Sequence, residues 1–268
     1  MSLFVLVLGA NGTLGVAVTC KLLLEGFSVH AQVRDRADTG SLDALLEDAE
    51  RAPASTASCY KRLRIIRGDP SADQFWLTYE RLLGELGIAC SSLDEAEAWY
   101  AGTSRPSPAQ QRGKGILIAV VTCTGALACR SVGETTPQDI LDAISAHVLP
   151  MQQSLRYLPT LSGNRYCCYV AVGSDPLSWE GTVDCCPYCV AKFALRGLVD
   201  CARHDLPHAH VEEIYPGNFL SGLWEKGGID CPFVETTAEQ VAEDIFNVVD
   251  THLARIRTKL TLSSAPKI

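Results

Sequence analysis

An apolar run that breaks into spaced glycines constrains this chain most. Leu3-Phe4-Val5-Leu6-Val7-Leu8 leads straight into Gly9-Ala10-Asn11-Gly12-Thr13-Leu14-Gly15, a G-x-x-G-x-x-G. A continuous apolar run of this length suits a strand buried on both faces. The glycines let the chain turn sharply, and the residues from 13 onward carry the pattern of a helix. Strand, glycine turn and helix together form the opening of a βαβ unit. The start of that helix, with its free backbone N–H groups, is a ready site for a phosphate. Gly9, Asn11, Gly12, Thr13, Leu14 and Gly15 are therefore candidate cofactor-binding residues. The bland alternative is a tight turn with no ligand.

The same alternation runs on. Strands are expected near 3–8, 28–33, 62–67, 115–121, 166–172, 210–214 and 258–262, with helices near 13–25, 40–50, 71–87, 137–158, 187–204 and 237–253. This predicts an α/β fold, a doubly wound parallel sheet of about seven strands with helices on both faces. We read residues 1–268 as a single Rossmann domain, with a polar surface excursion near 91–113 containing Gly102, Pro106, Pro108 and Gly113.

Composition narrows the partners. A net charge of −8 argues against nucleic acid and anionic membrane surfaces. No run spans a bilayer, and the apolar start lacks a basic leader, so the expectation is a cytoplasmic protein. The twelve cysteines are scattered, which fits small buried residues in a reducing compartment better than a disulfide framework. Only one C-x-x-C is present, so no metal site is expected.

Three further segments fall where strands end. Arg34 and Asp35 follow the second strand. An arginine there suits a 2′-phosphate through charge and paired donors, which favours NADP; Asp35 keeps NAD open. After the third strand comes Arg67-Gly68-Asp69-Pro70, where Asp69 can accept from an adenine amino group. After the fourth comes Cys123-Thr124-Gly125-Ala126, small enough for a cofactor to lie along the strand ends.

Pro187-Tyr188-Cys189-Val190-Ala191-Lys192 reads two ways. Tyr188 and Lys192, four apart, share a helix face, and a phenol beside an ammonium is a proton donor for a carbonyl. Cys186-Pro187-Tyr188-Cys189 is also the spacing of a redox dithiol. Such dithiols open a helix early in a short domain, whereas this one follows some 185 residues of a different sheet. Its cysteines, with Cys185, are read as neighbours of Tyr188 that oxidation could modify.

Taken in order, these motifs resemble the short-chain dehydrogenase/reductase family along nearly the whole chain. Tyr188 to Leu198 is similar to its Y-x-x-x-K helix. Val170-Ala171-Val172-Gly173-Ser174 resembles the strand ending in its catalytic serine, 14 residues before the tyrosine. Tyr215-Pro216-Gly217-Asn218-Phe219-Leu220-Ser221 looks like its P-G-x-x-x-T loop beside the nicotinamide, with Ser221 for Thr. The resemblance implies an NADP-dependent oxidoreductase of a carbonyl or alcohol, of carbonyl reductase or alcohol dehydrogenase type. Tyr188 would be acid/base, Lys192 the tuner of its pKa and a ribose ligand, and Ser174 the polariser. Pro216, Gly217 and Ser221 would join the cofactor contacts. It also implies a homodimer or homotetramer.

Three departures matter. The glycine spacing is that of atypical branches, and also of nucleotide-sugar epimerases, whose large C-terminal domain is not seen. The family's N-N-A-G becomes Cys123-Thr124-Gly125-Ala126. Its relay asparagine falls near Ala146, between Ser145 and His147, where there is no Asn. The last two favour the rival reading, an NADP-binding sensor or scaffold without turnover; the Ser174, Tyr188 and Lys192 set opposes it. Leu223, Trp224 and Phe233 are candidates for an apolar substrate pocket.

Overall fold

In the computed structural model, the backbone is described for residues 2–35, 39–40, 42–44, 59–89, 115–161, 167–174, 184–207, 209–231 and 233–263. The elements run β1 (Ser2–Leu8), α1 (Thr13–Leu24), β2 (Ser28–Val33), β3 (Leu63–Arg67), α2 (Asp73–Leu86), β4 (Ile88–Ala89) and β5 (Gly115–Thr122). There follow α3 (Pro137–His147), α4 (Leu149–Leu161), β6 (Cys168–Val172), α5 (Cys186–Asp205), β7 (His210–Ile214), α6 (Gly222–Gly227) and α7 (Ala238–Ser263). The expected excursion near 91–113 and most of the helix near 40–50 lie outside the described residues.

Among the described residues the strands form one sheet in the order β3-β2-β1-β5-β6-β7, with the two-residue β4 also pairing β5. Every ladder is parallel, as when Val5 pairs with both Val29 and Ala119. The order reverses between β1 and β5, so a crevice opens at their C-terminal ends. That is where the glycine turn lies: Cys123 N–H donates to Leu8 O across it at 2.9 Å.

Alternation along β1 builds two cores. Val5 and Val7 face α1 and α7 with Leu22, Val241 and Ile245. Leu6 and Leu8 face α2, α4 and α5 with Trp76, Leu155 and Leu195. Burial on both faces is why the strand reads as unbroken apolar sequence.

Two expectations need correction. Residues 258–262 are not a strand, because the backbone there continues α7; the short β4 was not foreseen. The helix expected over 137–158 is two. A capping box starts α3, with Thr136 Oγ1 accepting from Asp139 N–H and Asp139 accepting from Thr136 N–H. Pro150 then has no N–H to give the Ala146 carbonyl, and the helix breaks at Val148. Among the described residues no helix is long and apolar enough to cross a membrane.

Candidate active site

The glycine turn is held by contact. Gly9 has φ +73°, and a Cβ on it would lie 3.0 Å from the Cys123 carbonyl carbon and the Thr124 nitrogen. A Cβ on Gly15 would lie 2.3 Å from Gly9 O, so the first turn of α1 needs glycine to press on β1. Gly12 precedes α1, and no side chain caps that helix start. The backbone donors and the positive end of the dipole there are left for an anion.

Gln32 ties three strand ends together. Its Oε1 accepts from Gly9 N–H at 2.9 Å, and its Nε2 donates to Gly68 O at 2.6 Å. The sequence reading passed over it. The signal lay in β2, where Ser28, His30 and Gln32 alternate with apolar residues and all six are buried. Buried polar side chains require partners. His30 meets the Tyr79 hydroxyl at 2.9 Å, and Gln32 meets the glycine turn.

Around this turn lies a cavity of about 400 Å³. Of the expected cofactor residues, Gly9, Asn11, Gly12, Arg34, Asp69, Thr124 and Gly125 line it. The others do not. Thr13 Oγ1 accepts from Gly222 N–H at 3.4 Å, joining the start of α1 to the start of α6. Leu14 belongs to the core beside α1, and Gly15 is buried beneath the turn. Asp35 is exposed, its carbonyl accepting from Arg67. Gly217, after Pro216, packs on Glu235, which accepts from Asn218 N–H at 2.8 Å. Ser221 caps α6, accepting from Leu223 N–H at 3.4 Å. Leu223 and Trp224 are half-buried and Phe233 is exposed; none lines the cavity. Lys226, which the sequence reading missed, does.

Ser174, Tyr188 and Lys192 are brought together. Pro187 opens α5 in its first turn, where a missing N–H costs nothing. One turn on, Lys192 sits on the same face as Tyr188, its Nζ 5.5 Å from the centre of the phenol ring. The Tyr188 hydroxyl donates to Ser174 Oγ at 3.2 Å, and Lys192 Nζ donates to Val172 O at 2.7 Å.

Burial governs the proton affinities. It pushes the Lys192 amine down to about 8, opposed by the charges of Glu213 and Cys123. It pushes the Tyr188 phenol up, opposed by the Ser174 hydrogen bond. In the protein alone, desolvation outweighs the Ser174 hydrogen bond at the phenol.

His147 stands beside the pair. Its ring meets that of Tyr188 edge-on, centres 5.4 Å apart. Nε2 is 2.7 Å from Ala126 O and 3.0 Å from Ala126 N, while Nδ1 is buried with no hydrogen-bond partner among the described residues. Burial, then the Lys192 charge, push it down to about 3, so the ring is neutral. It also explains Gly125, whose Cβ would lie 2.6 Å from His147 Cε1. Ser145 and Ala146 line the cavity at the position expected for the asparagine. Among the described residues no group of three or more His, Cys, Asp and Glu is placed to hold a metal.

Comparison with solved structures finds the same fold. ElxO with NADP bound superposes with a TM-score of 0.66 at 16% identity, covering 93% of this chain and 92% of that one. An alcohol dehydrogenase from the archaeon Thermococcus sibiricus, complexed with 5-hydroxy-NADP, gives 0.67 at 15%, covering 93% and 91%. A short-chain dehydrogenase from Sphingobium yanoikuyae in complex with NADPH gives 0.66 at 15%, covering 94% and 85%. The chain has the fold of these enzymes. By sequence, no protein-family profile and no curated protein matches it.

Proposed function

We propose that this chain is a short-chain dehydrogenase/reductase that uses NADP to reduce a carbonyl, or to oxidise the matching alcohol. The observation that carries the proposal is the meeting of half-buried Ser174 and Tyr188 with buried Lys192, the phenol bonded to the serine at 3.2 Å. The neighbours with NADP, 5-hydroxy-NADP and NADPH support the choice of cofactor.

The residues fit a dinucleotide. The glycine turn is a cradle that a Cβ would fill, and the Thr124 hydroxyl, buried with no partner among the described residues, lies on the cavity wall. The N–H groups at the start of α1 would hold the pyrophosphate. Arg34 would hold a 2′-phosphate, Asp69 the adenine amino group, and Lys192 the ribose hydroxyls. Asp35, exposed and off the cavity, leaves Arg34 to set the preference. A bound nicotinamide supplies or accepts the hydride.

The protein supplies position and a proton. Ser174 Oγ donates to the substrate oxygen and steadies the charge that develops there. The Tyr188 hydroxyl gives its proton to that oxygen. Burial raises the phenol and so keeps it protonated at neutral pH, the state that reduction requires. The Lys192 ammonium, one turn away, stabilises the phenolate left behind.

A second reading, an NADP-binding sensor, is favoured by one observation: Ala146 lines the cavity where a relay carboxamide was expected. A panel of aldehydes and ketones with NADPH decides between them. The enzyme reading predicts oxidation of NADPH with at least one carbonyl. It further predicts a kcat about 100- to 10,000-fold lower in Tyr188→Phe, with cofactor affinity unchanged. Equal rates for parent and variant with every active carbonyl would overturn the assignment.

A further inference from the structure

The cysteines that the dithiol reading singled out are not paired with each other. Cys185, immediately before α5, instead meets Cys129, 56 residues away in sequence, with the sulfurs 3.9 Å apart. The backbones run side by side at this point: Arg130 pairs with Cys185 in a parallel bridge, and Cys186 N–H donates to Arg130 O at 3.1 Å. Asp184, immediately before Cys185, is left-handed, with φ 58°. All eleven described cysteines are free thiols.

We propose that Cys129 and Cys185 are a site of reversible oxidation, forming a disulfide when the protein meets a hydroperoxide. The sulfurs must close from 3.9 Å to about 2.0 Å, a movement that side-chain rotation supplies when the backbones are already adjacent. Cys129 is half-buried and Cys185 buried, so the oxidant meets Cys129 first. The Cys129 sulfur attacks the peroxide, the O–O bond breaks, and Cys129 becomes a sulfenic acid with release of water or alcohol. The Cys185 sulfur then displaces the sulfenic oxygen. The S–S bond forms, the Cys185 proton leaves with that oxygen as a second water, and the peroxide has taken two electrons from the two thiols. Burial and the neighbouring Cys129 push the Cys185 thiol up, so it enters the closing step protonated.

The bond would staple two walls of the candidate site. Cys129 continues the segment whose Cys123, Thr124, Gly125 and Ala126 line the cavity, and Cys185 precedes the helix that carries Tyr188 and Lys192. The chemistry stands on the thiols alone, whatever the cofactor proves to be.

The test is made on the full chain. Protein reduced and then treated with equimolar hydrogen peroxide is alkylated, digested and mapped by mass spectrometry. The expected product is one cross-linked peptide pair holding Cys129 and Cys185, two hydrogen atoms lighter than the sum and separated again by dithiothreitol. Cys129→Ser abolishes it, while Cys231→Ser leaves it unchanged. Recovery of Cys129 and Cys185 in alkylated form after treatment overturns the proposal. So does a cross-link from Cys185 to Cys186 or Cys189 in their place.

Discussion

Two buried histidines make the fold sensitive to acid, and His147 ties that sensitivity to the candidate site. His147 and His30 are each about 1% exposed. Burial is the main cause of depression in both, taking His147 from 6.5 to about 3 and His30 from 6.5 to about 4. Because each folded value lies below the unfolded one, the unfolded chain binds more protons between them, and stability falls with pH. The window opens near 6.5 and closes near 3 for His147 and near 4 for His30. Integrated down to about pH 5, each histidine costs roughly 2 kcal/mol. Together they remove about 4 kcal/mol from a total that is typically ~5–15 kcal/mol. Urea unfolding at about pH 7.5 and pH 5 measures the loss in the parent and in His147→Gln, whose amide does not titrate. The variant starts less stable, since it loses the contact with Tyr188, but its loss on acidification is smaller by roughly 2 kcal/mol. Parallel losses in parent and variant would refute the reasoning, because His147 would then not be held neutral by its surroundings.

Other consequences are as direct. Gly15→Ala puts a Cβ 2.3 Å from Gly9 O, backbone against backbone, and should cost ~1–3 kcal/mol or more in urea unfolding; Gly12→Ala, with its nearest atom at 3.5 Å, should fold as the parent does. Gln32→Leu leaves half-buried Gly9 N–H and Gly68 O without their partner and should destabilise by ~1–3 kcal/mol in all, read in the same assay. Arg34→Ala should weaken NADPH binding by about tenfold or more while leaving NADH nearly unchanged, as one charge-assisted contact is worth ~1.5–3 kcal/mol. Equal weakening of both cofactors in a fluorescence titration would place Arg34 away from the 2′-phosphate.

The parts of the fold legible in sequence are those where one physical rule acted alone. β1 and β5 are buried on both faces and read as apolar runs; α1 follows its glycine turn as a motif demands. The errors came where two rules met. Leu260-Thr261-Leu262 alternates like a strand, yet the helical ladder begun at Ala238 runs through it. Pro150 lay inside a good helical pattern, and its missing N–H divided α3 from α4. At the site, spacing sufficed to bring Tyr188 to Lys192, four residues apart on one helix, but not to foresee contacts closed by the tertiary fold. Gln32 reaching Gly9, His147 lying against Tyr188, and Cys129 meeting Cys185 all join segments far apart in sequence. The burial that raises the Tyr188 phenol likewise depends on packing and is not written in the spacing.

The central claim is that the crevice between β1 and β5 binds a nicotinamide dinucleotide phosphate. Titrating the protein into NADPH and following the cofactor's fluorescence tests it most directly. The account predicts a saturable change, stronger for NADPH than for NADH and much reduced in Gly9→Val, whose side chain would fill the cradle against Cys123 and Thr124. No saturable change with either cofactor, from folded protein, would contradict it.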